Sequence, residues 1–434
     1  MKRCPTCRRD YFDDSLLYCL DDGMALLDGP GSDPGAASFS ESPTLMQTSG
    51  DVTKVLPAAA SPSKPGSRNI VVAAVIVALA LGAVGLWYFT LRTRPAQTTG
   101  VTSATPNDAL IKAKVLIANG ADSDLSAAIE LLEKAVTDDP NSALGWAMLA
   151  RAYTGRSFLY APPSERETLS LNADVAVEKA LALDPNLADA HYARGYILWS
   201  HNKSFPHEMA VAAYKRAIDL NPNFDEAHHQ LGVIYLHLGL FDRAQAEIDK
   251  ALAINPANAG ARSRIGHIAL YQGKYDVAYE FYKSVPQTKT NFVAFQLANA
   301  LFKLGRIDEA RQLVDKYLEE TPQDQGGSAN SVKAMILAKE GRTREAEDVI
   351  AHAVEIGRDF GHFHHTAYNI ACAYAMMNKP DKAIEYLQMA VDDGFPCYPL
   401  FEHEESFKSL QHDPAFVTLM AKVKQQWERY NATL

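Results

Sequence analysis

One pattern of small and large residues, about 34 positions long, returns eight times between Asn107 and Gly394. Residues 225–258 spell it most completely: His228, Leu231, Gly232 and Tyr235, then Gly239, then Ala244, Ile248 and Ala251, and finally Pro256. The bulky positions recur at helical spacing and so share one face, while Gly232 leaves room for a second helix to come close. Ala244 and Ala251 are its small partners on that second helix. Asn255-Pro256 ends the unit, because proline cannot continue a helix and turns the residue before it away from the α region. One such hairpin cannot bury its own apolar face, so the units must stack on one another.

The other copies keep this register with varying fidelity. Residues 143–187 give Trp146, Leu149, Tyr153, Ala173, Val177, Ala180 and Pro185, with eleven extra residues between the helices. That insert, Gly155 to Pro163, is expected to be a loop, followed by a capping-box start at Ser164 and Glu167. Residues 188–224 carry Arg194 where a large apolar residue is usual, 259–287 end early at Pro286, and 291–324 restore the full length. Weaker copies occupy 107–142, 327–358 and 364–394. These residues resemble the tetratricopeptide repeat family, over roughly three quarters of the chain. The resemblance implies an all-α superhelix of about eight hairpins across 107–394, and 395–434 reads as a helical cap with a last helix near Pro414–Tyr430.

The first 106 residues are a different kind of sequence. Ile70 to Leu91 is a run of 22 residues without a charge, long enough to cross a hydrocarbon core as one helix, so 69–91 reads as a transmembrane span contacting the lipid bilayer. Trp87, Tyr88 and Phe89 suit an aromatic belt, and Ala74, Ala78 and Gly82 form a small-residue stripe on which a homodimer would pack. Residues 27–68 and 92–106 are linkers poor in large apolar side chains.

Residues 1–26 hold Cys4-Pro5-Thr6-Cys7 and, eleven residues later, Cys19-Leu20-Asp21-Asp22-Gly23. This resembles a zinc ribbon. The resemblance implies one zinc ion held by Cys4, Cys7 and Cys19, with Asp22 where a fourth cysteine would stand. Thiolate ligands fit a reducing compartment, which places the ribbon in the cytoplasm and the repeats across the membrane, in a bacterial periplasm. Cys372, beside Ala371 and Ala373 on a repeat helix, is expected to be a buried free thiol, and no disulfide with Cys397 is expected.

The net charge of −10 lies wholly in residues 107–434, where 43 acidic side chains face 33 basic ones, a surface that repels nucleic acid phosphates. No phosphate-binding loop, zinc-protease or serine-hydrolase motif is present, and His403-Glu404-Glu405 lacks the second histidine of a zinc protease, so no enzyme is expected. His362, His364 and His365 stand together, but no carboxylate or cysteine completes a metal set, and they read as lining the start of a helix.

The expectation is a membrane-anchored scaffold that holds a protein partner in the concave groove of its repeats. Places 5, 9 and 12 of each unit share one stripe on the first helices. They are Tyr192, Tyr196 and Trp199 in the third unit; His229, Val233 and Leu236; Ser263, His267 and Leu270; and Phe295, Asn299 and Phe302 in the sixth. Aromatic residues anchor binding energy, so an apolar helix or extended segment is the expected ligand. A regulatory protein that signals through the cytoplasmic ribbon is the alternative.

Overall fold

The computed structural model describes the backbone of residues 2–3, 10–11 and 27–28, together with residues 106–285 and 293–434. The chain divides into two units, one of residues 1–19 and 24–105, the other of residues 20–23 and 106–434. In the first, strand Lys2–Arg3 lies between Asp10–Tyr11 and Leu27–Asp28, antiparallel to both. The expected ligands Cys4, Cys7, Cys19 and Asp22, the span at 70–91 and the stripe Ala74, Ala78 and Gly82 lie outside the described residues. Among the described residues, no helix is long and apolar enough to cross a membrane.

The second unit is built from eight consecutive helical hairpins, from Pro106–Asn119 with Asp122–Asp138 to Phe363–Met376 with Pro380–Asp392. The hairpin Asp225–His237 with Phe241–Ile254 shows why the pattern folds this way. Its second helix buries Ala244, Ile248 and Ala251 at spacings of four and three, so one narrow stripe faces the first helix. A Cβ on Gly232 would lie 2.9 Å from Ile248 Cδ1, so only glycine lets the two helices approach this closely. Between them Gly239 takes φ +71°, a left-handed turn that ends the first helix, and Gly273 repeats it at +74°. Asn255 then ties the end of the unit back to its start, as its amide donates to Asp225 Oδ2 at 2.9 Å.

Two expectations need correcting. The insert of the second unit is not a loop: the first helix continues as Ala143–Leu159 and the second begins at Pro163 and runs to Leu183. Proline at the first helical position sets the start, so the Ser164 capping box does not form. This longer hairpin reaches the far end of the stack, where the Gly361 amide donates to the Phe158 carbonyl at 3.1 Å and Arg166 pairs with Asp359 at 3.7 Å.

The tail is the second correction. Its last helix, Pro414–Thr433, does not simply cover the final hairpin. Trp427 Nε1 donates to the Gly239 carbonyl at 3.3 Å, and Arg243 donates to the Asn431 carbonyl at 2.9 Å. Before that helix, residues 393–407 run along the first helices of several hairpins. His207 Nε2 donates to the Gly394 carbonyl at 3.2 Å, and Cys397 Sγ donates to the Leu236 carbonyl at 3.8 Å. Phe395 is fully buried, with its ring 5.5 Å from those of both His237 and Tyr271. Glu404 completes the docking by accepting from Lys303 Nζ at 2.6 Å and from the Tyr368 hydroxyl at 2.5 Å. Burial opposes ionisation of Glu404, but Lys303 and these hydrogen bonds outweigh it and hold the carboxyl at about 2. The inner face of the later hairpins is therefore filled by the chain's own tail. Cys372 and Cys397 are both free and buried there, and burial raises both thiols above their ordinary range.

Candidate functional site

The aromatic stripe divides at Trp199. Tyr196 and His229 are half-buried and, with the buried Tyr192, border an open groove, whereas Trp199 and Leu236 are core. Trp199 packs edge-on against His237 at 5.0 Å and against Phe205 at 5.9 Å. His267, Phe295, Asn299 and Phe302 are also buried, and His267 and Phe295 face an inner cavity. The expectation of one continuous, water-facing aromatic groove is thus corrected. An apolar stripe suited to a partner's apolar segment is equally suited to Phe395-Pro396-Cys397-Tyr398-Pro399-Leu400-Phe401, which is tethered beside it at high effective concentration.

The groove that stays open has a volume of about 660 Å³ and runs over the first helices of the opening hairpins, with Lys114, Arg151, Asp189, Glu226, His229 and Asn258 among its walls. The Arg151 guanidinium lies 4.4 Å over the Tyr192 ring, 4.0 Å from Asp189 and 3.9 Å from Glu226. Asp225 Oδ2 accepts from the amides of Asn255 at 2.9 Å and Asn258 at 2.8 Å. Burial, reinforced by neighbouring Glu226, raises Asp225 to about 6, while Arg151 outweighs burial at Glu226 and lowers it. With three carboxylates against two cations among these residues, the lining leans acidic.

A second constellation sits on the inner face, where sequence reasoning saw three histidines. His362 caps the helix Phe363–Met376, and His364 and His365 lie in its first turn. The fold adds His237 from the last turn of Asp225–His237. One nitrogen from each of the four rings falls within 4.8 Å of the others. His237 Nε2 lies 3.2 Å from His365 Nε2, and His362 Nδ1 lies 3.5 Å from His364 Nε2. Burial, then the neighbouring imidazoles, keeps His237, His362 and His365 neutral far below the ordinary histidine range. A cavity of about 440 Å³ reaches His362 and His365, with Arg264, His267 and Phe360 in its walls. No sequence signal linked His237 to the other three, since 125 residues separate it from His362.

Comparison with known proteins agrees with the hairpin architecture. Residues 207–239 match the TPR repeat, and residues 225–258, 269–336 and 366–396 each match the tetratricopeptide repeat. The human tetratricopeptide repeat protein 21A is 30% identical over 112 residues, which is 25% of this chain and 8% of that protein. A tetratricopeptide repeat protein from Parabacteroides merdae aligns over 63% of this chain and 98% of its own, with 18% identity and a TM-score of 0.43. A thermophilic TPR protein of Thermus thermophilus aligns over 45% and 99%, with 23% identity and a TM-score of 0.36. Residues 207–258, 269–336 and 366–396 are thus similar in sequence to tetratricopeptide repeats, and each lies within the stack of hairpins.

Proposed function

We propose that this protein is a membrane-anchored scaffold that holds an extended segment of a protein partner in the groove of its opening hairpins. Tetratricopeptide repeats bind protein or peptide partners, and the observation that carries the reading is the groove itself. Its walls combine the half-buried carboxylates of Asp189 and Glu226 with Tyr192, Tyr196 and His229. The groove is long enough for an extended peptide, and its acidic lining selects a segment carrying Lys or Arg. An apolar helix is disfavoured, because the apolar part of the inner face already holds the tail.

Anchoring through residues 70–91, with the ribbon in the cytoplasm and the repeats in the periplasm, remains part of this reading. Its support is the uncharged run and the pairing of Lys2–Arg3 with Asp10–Tyr11 on either side of the Cys4–Cys7 knuckle. Zinc on Cys4, Cys7, Cys19 and Asp22, and a homodimer through Ala74, Ala78 and Gly82, are proposed on the same footing.

The test is selection of a displayed library of extended peptides on the detergent-solubilised full chain. Enrichment of segments with Lys or Arg, lost in Asp189→Asn/Glu226→Gln, supports the groove. Peptides without basic residues that bind the double variant as well as the parent would refute it.

A further inference from the structure

We propose that His237, His362, His364 and His365 form a binding site for a divalent late transition-metal ion, zinc foremost, on the inner face of the repeat stack. Among the described residues this is the group of His, Cys, Asp or Glu side chains whose donor atoms converge as metal ligands do. A tetrahedral ion with bonds of about 2.0–2.1 Å to nitrogen sets its ligands about 3.3 Å apart. Two of the observed separations, 3.2 Å and 3.5 Å, bracket that spacing, and ring rotation closes the remaining edges from at most 4.8 Å.

The surroundings are those of metal-ligating imidazoles, which bind through one nitrogen while the other donates to a fixed acceptor. His237 Nδ1 lies 2.7 Å from the Val233 carbonyl. A carbonyl only accepts, so the proton is on Nδ1 and the lone pair of Nε2 points into the cluster. His365 Nδ1 is 3.0 Å from the Tyr271 hydroxyl, which can accept its proton and free Nε2. His364 Nδ1 is 3.4 Å from Asp393 Oδ2, so the carboxylate stands behind a third ligand.

Packing alone does not explain the group. A purely hydrogen-bonded cluster would use the His365–His237 contact alone, yet the fully buried His364 ring, with the Asp393 carboxylate behind it, is brought to the same point. An apolar core has no reason to gather four desolvated imidazoles, whereas one ion engages four lone pairs together. Aromatic rings close the sides away from the cavity, with Phe158 4.9 Å from His362 and Phe395 5.0 Å from His365. Four neutral nitrogens select zinc, nickel or copper over the oxygen-seeking magnesium and calcium. Arg264 in the cavity wall opposes a cation and Asp393 offsets it, so the bonds to nitrogen must supply the affinity.

The test uses the full chain with Cys4→Ser, Cys7→Ser and Cys19→Ser, which removes the thiolates of the amino-terminal module. Titration with Co²⁺ should give one equivalent bound, with visible d–d bands of a four-coordinate nitrogen site and no thiolate charge-transfer band. Zn²⁺ should displace it. Adding His237→Gln or His365→Gln should weaken binding by at least tenfold to a hundredfold while circular dichroism is retained. Absence of stoichiometric Co²⁺ binding in the folded parent overturns the proposal without reference to any variant. Binding that survives both histidine changes overturns it as well, and marks the cluster as core.

Discussion

Replacing Gly239 by alanine should loosen the tail, and replacing Gly273 should not. The two glycines hold the same left-handed turn in consecutive hairpins, at φ +71° and +74°. Alanine therefore costs each of them the same backbone strain, about 1–2 kcal/mol. Their surroundings differ. A Cβ on Gly273 meets nothing within 4 Å, whereas one on Gly239 lies 2.5 Å from Pro399 Cδ and 3.1 Å from its Cγ. The proline ring cannot rotate away, and Cys397 two residues earlier is buried against Leu236, so relief must come from displacing the tail. Overpacking of this kind costs about 1–3 kcal/mol, which corresponds to roughly 5- to 150-fold more of the opened state. Limited proteolysis under native conditions, with cleavage in residues 395–412 followed by mass spectrometry, reads that population directly. Gly239→Ala should raise the tail cleavage rate by such a factor over Gly273→Ala, while the two variants lose similar helix stability. Equal tail cleavage in both would mean that Pro399 does not rest on this turn, and the filled inner face would be wrong.

Two further outcomes follow from the same packing. Glu404→Gln leaves Lys303 buried without its counter-charge and should destabilise the later hairpins by about 3–5 kcal/mol, whereas replacing both residues by methionine should restore most of the loss in urea titrations. Acid should also weaken the fold before most carboxylates titrate. Burial lowers His207 to about 4 and His229 and His267 to about 3, from 6.5. The unfolded chain then binds more protons, so their contribution is intact above pH 6.5 and is lost as pH falls from 6.5 towards 4, by on the order of 1 kcal/mol per histidine at pH 5.5. Melting temperature measured between pH 7.5 and 5 should fall steeply below 6.5, and less so in His207→Phe; a flat profile over that range would contradict the buried, neutral histidines.

The hairpins were legible because their signal is local: Gly232, Ala244, Ile248 and Ala251 lie within twenty residues and act on one another. The stripe Tyr192, Tyr196, Trp199, Leu236 was legible as a shared face, but not what covers it. Phe395 and Cys397 meet Leu236 and His237 across about 160 residues, a pairing that periodicity does not encode. The apolar residues of 395–401 lie in the tail that reads as a cap, because it follows the last repeat. The insert after Gly155 read as a loop from its length alone, yet the preceding helix runs on to Leu159 and Pro163 opens the next. His237 illustrates the limit at the candidate metal site, for it joins His362, His364 and His365 only once three hairpins have stacked between them.

The filled inner face is tested most directly by the thiol of Cys397. Its side chain is fully buried, Sγ lies 3.8 Å from the Leu236 carbonyl, and burial raises its pKa. Under native conditions at pH 7.5 the full chain should take up no maleimide at Cys397 over hours, as resolved by peptide mapping, and should label fully in urea. Native labelling of Cys397 at the rate of a free peptide, with Cys372 still protected, would show that the tail stands clear of the repeats and that the whole concave face is open to a partner.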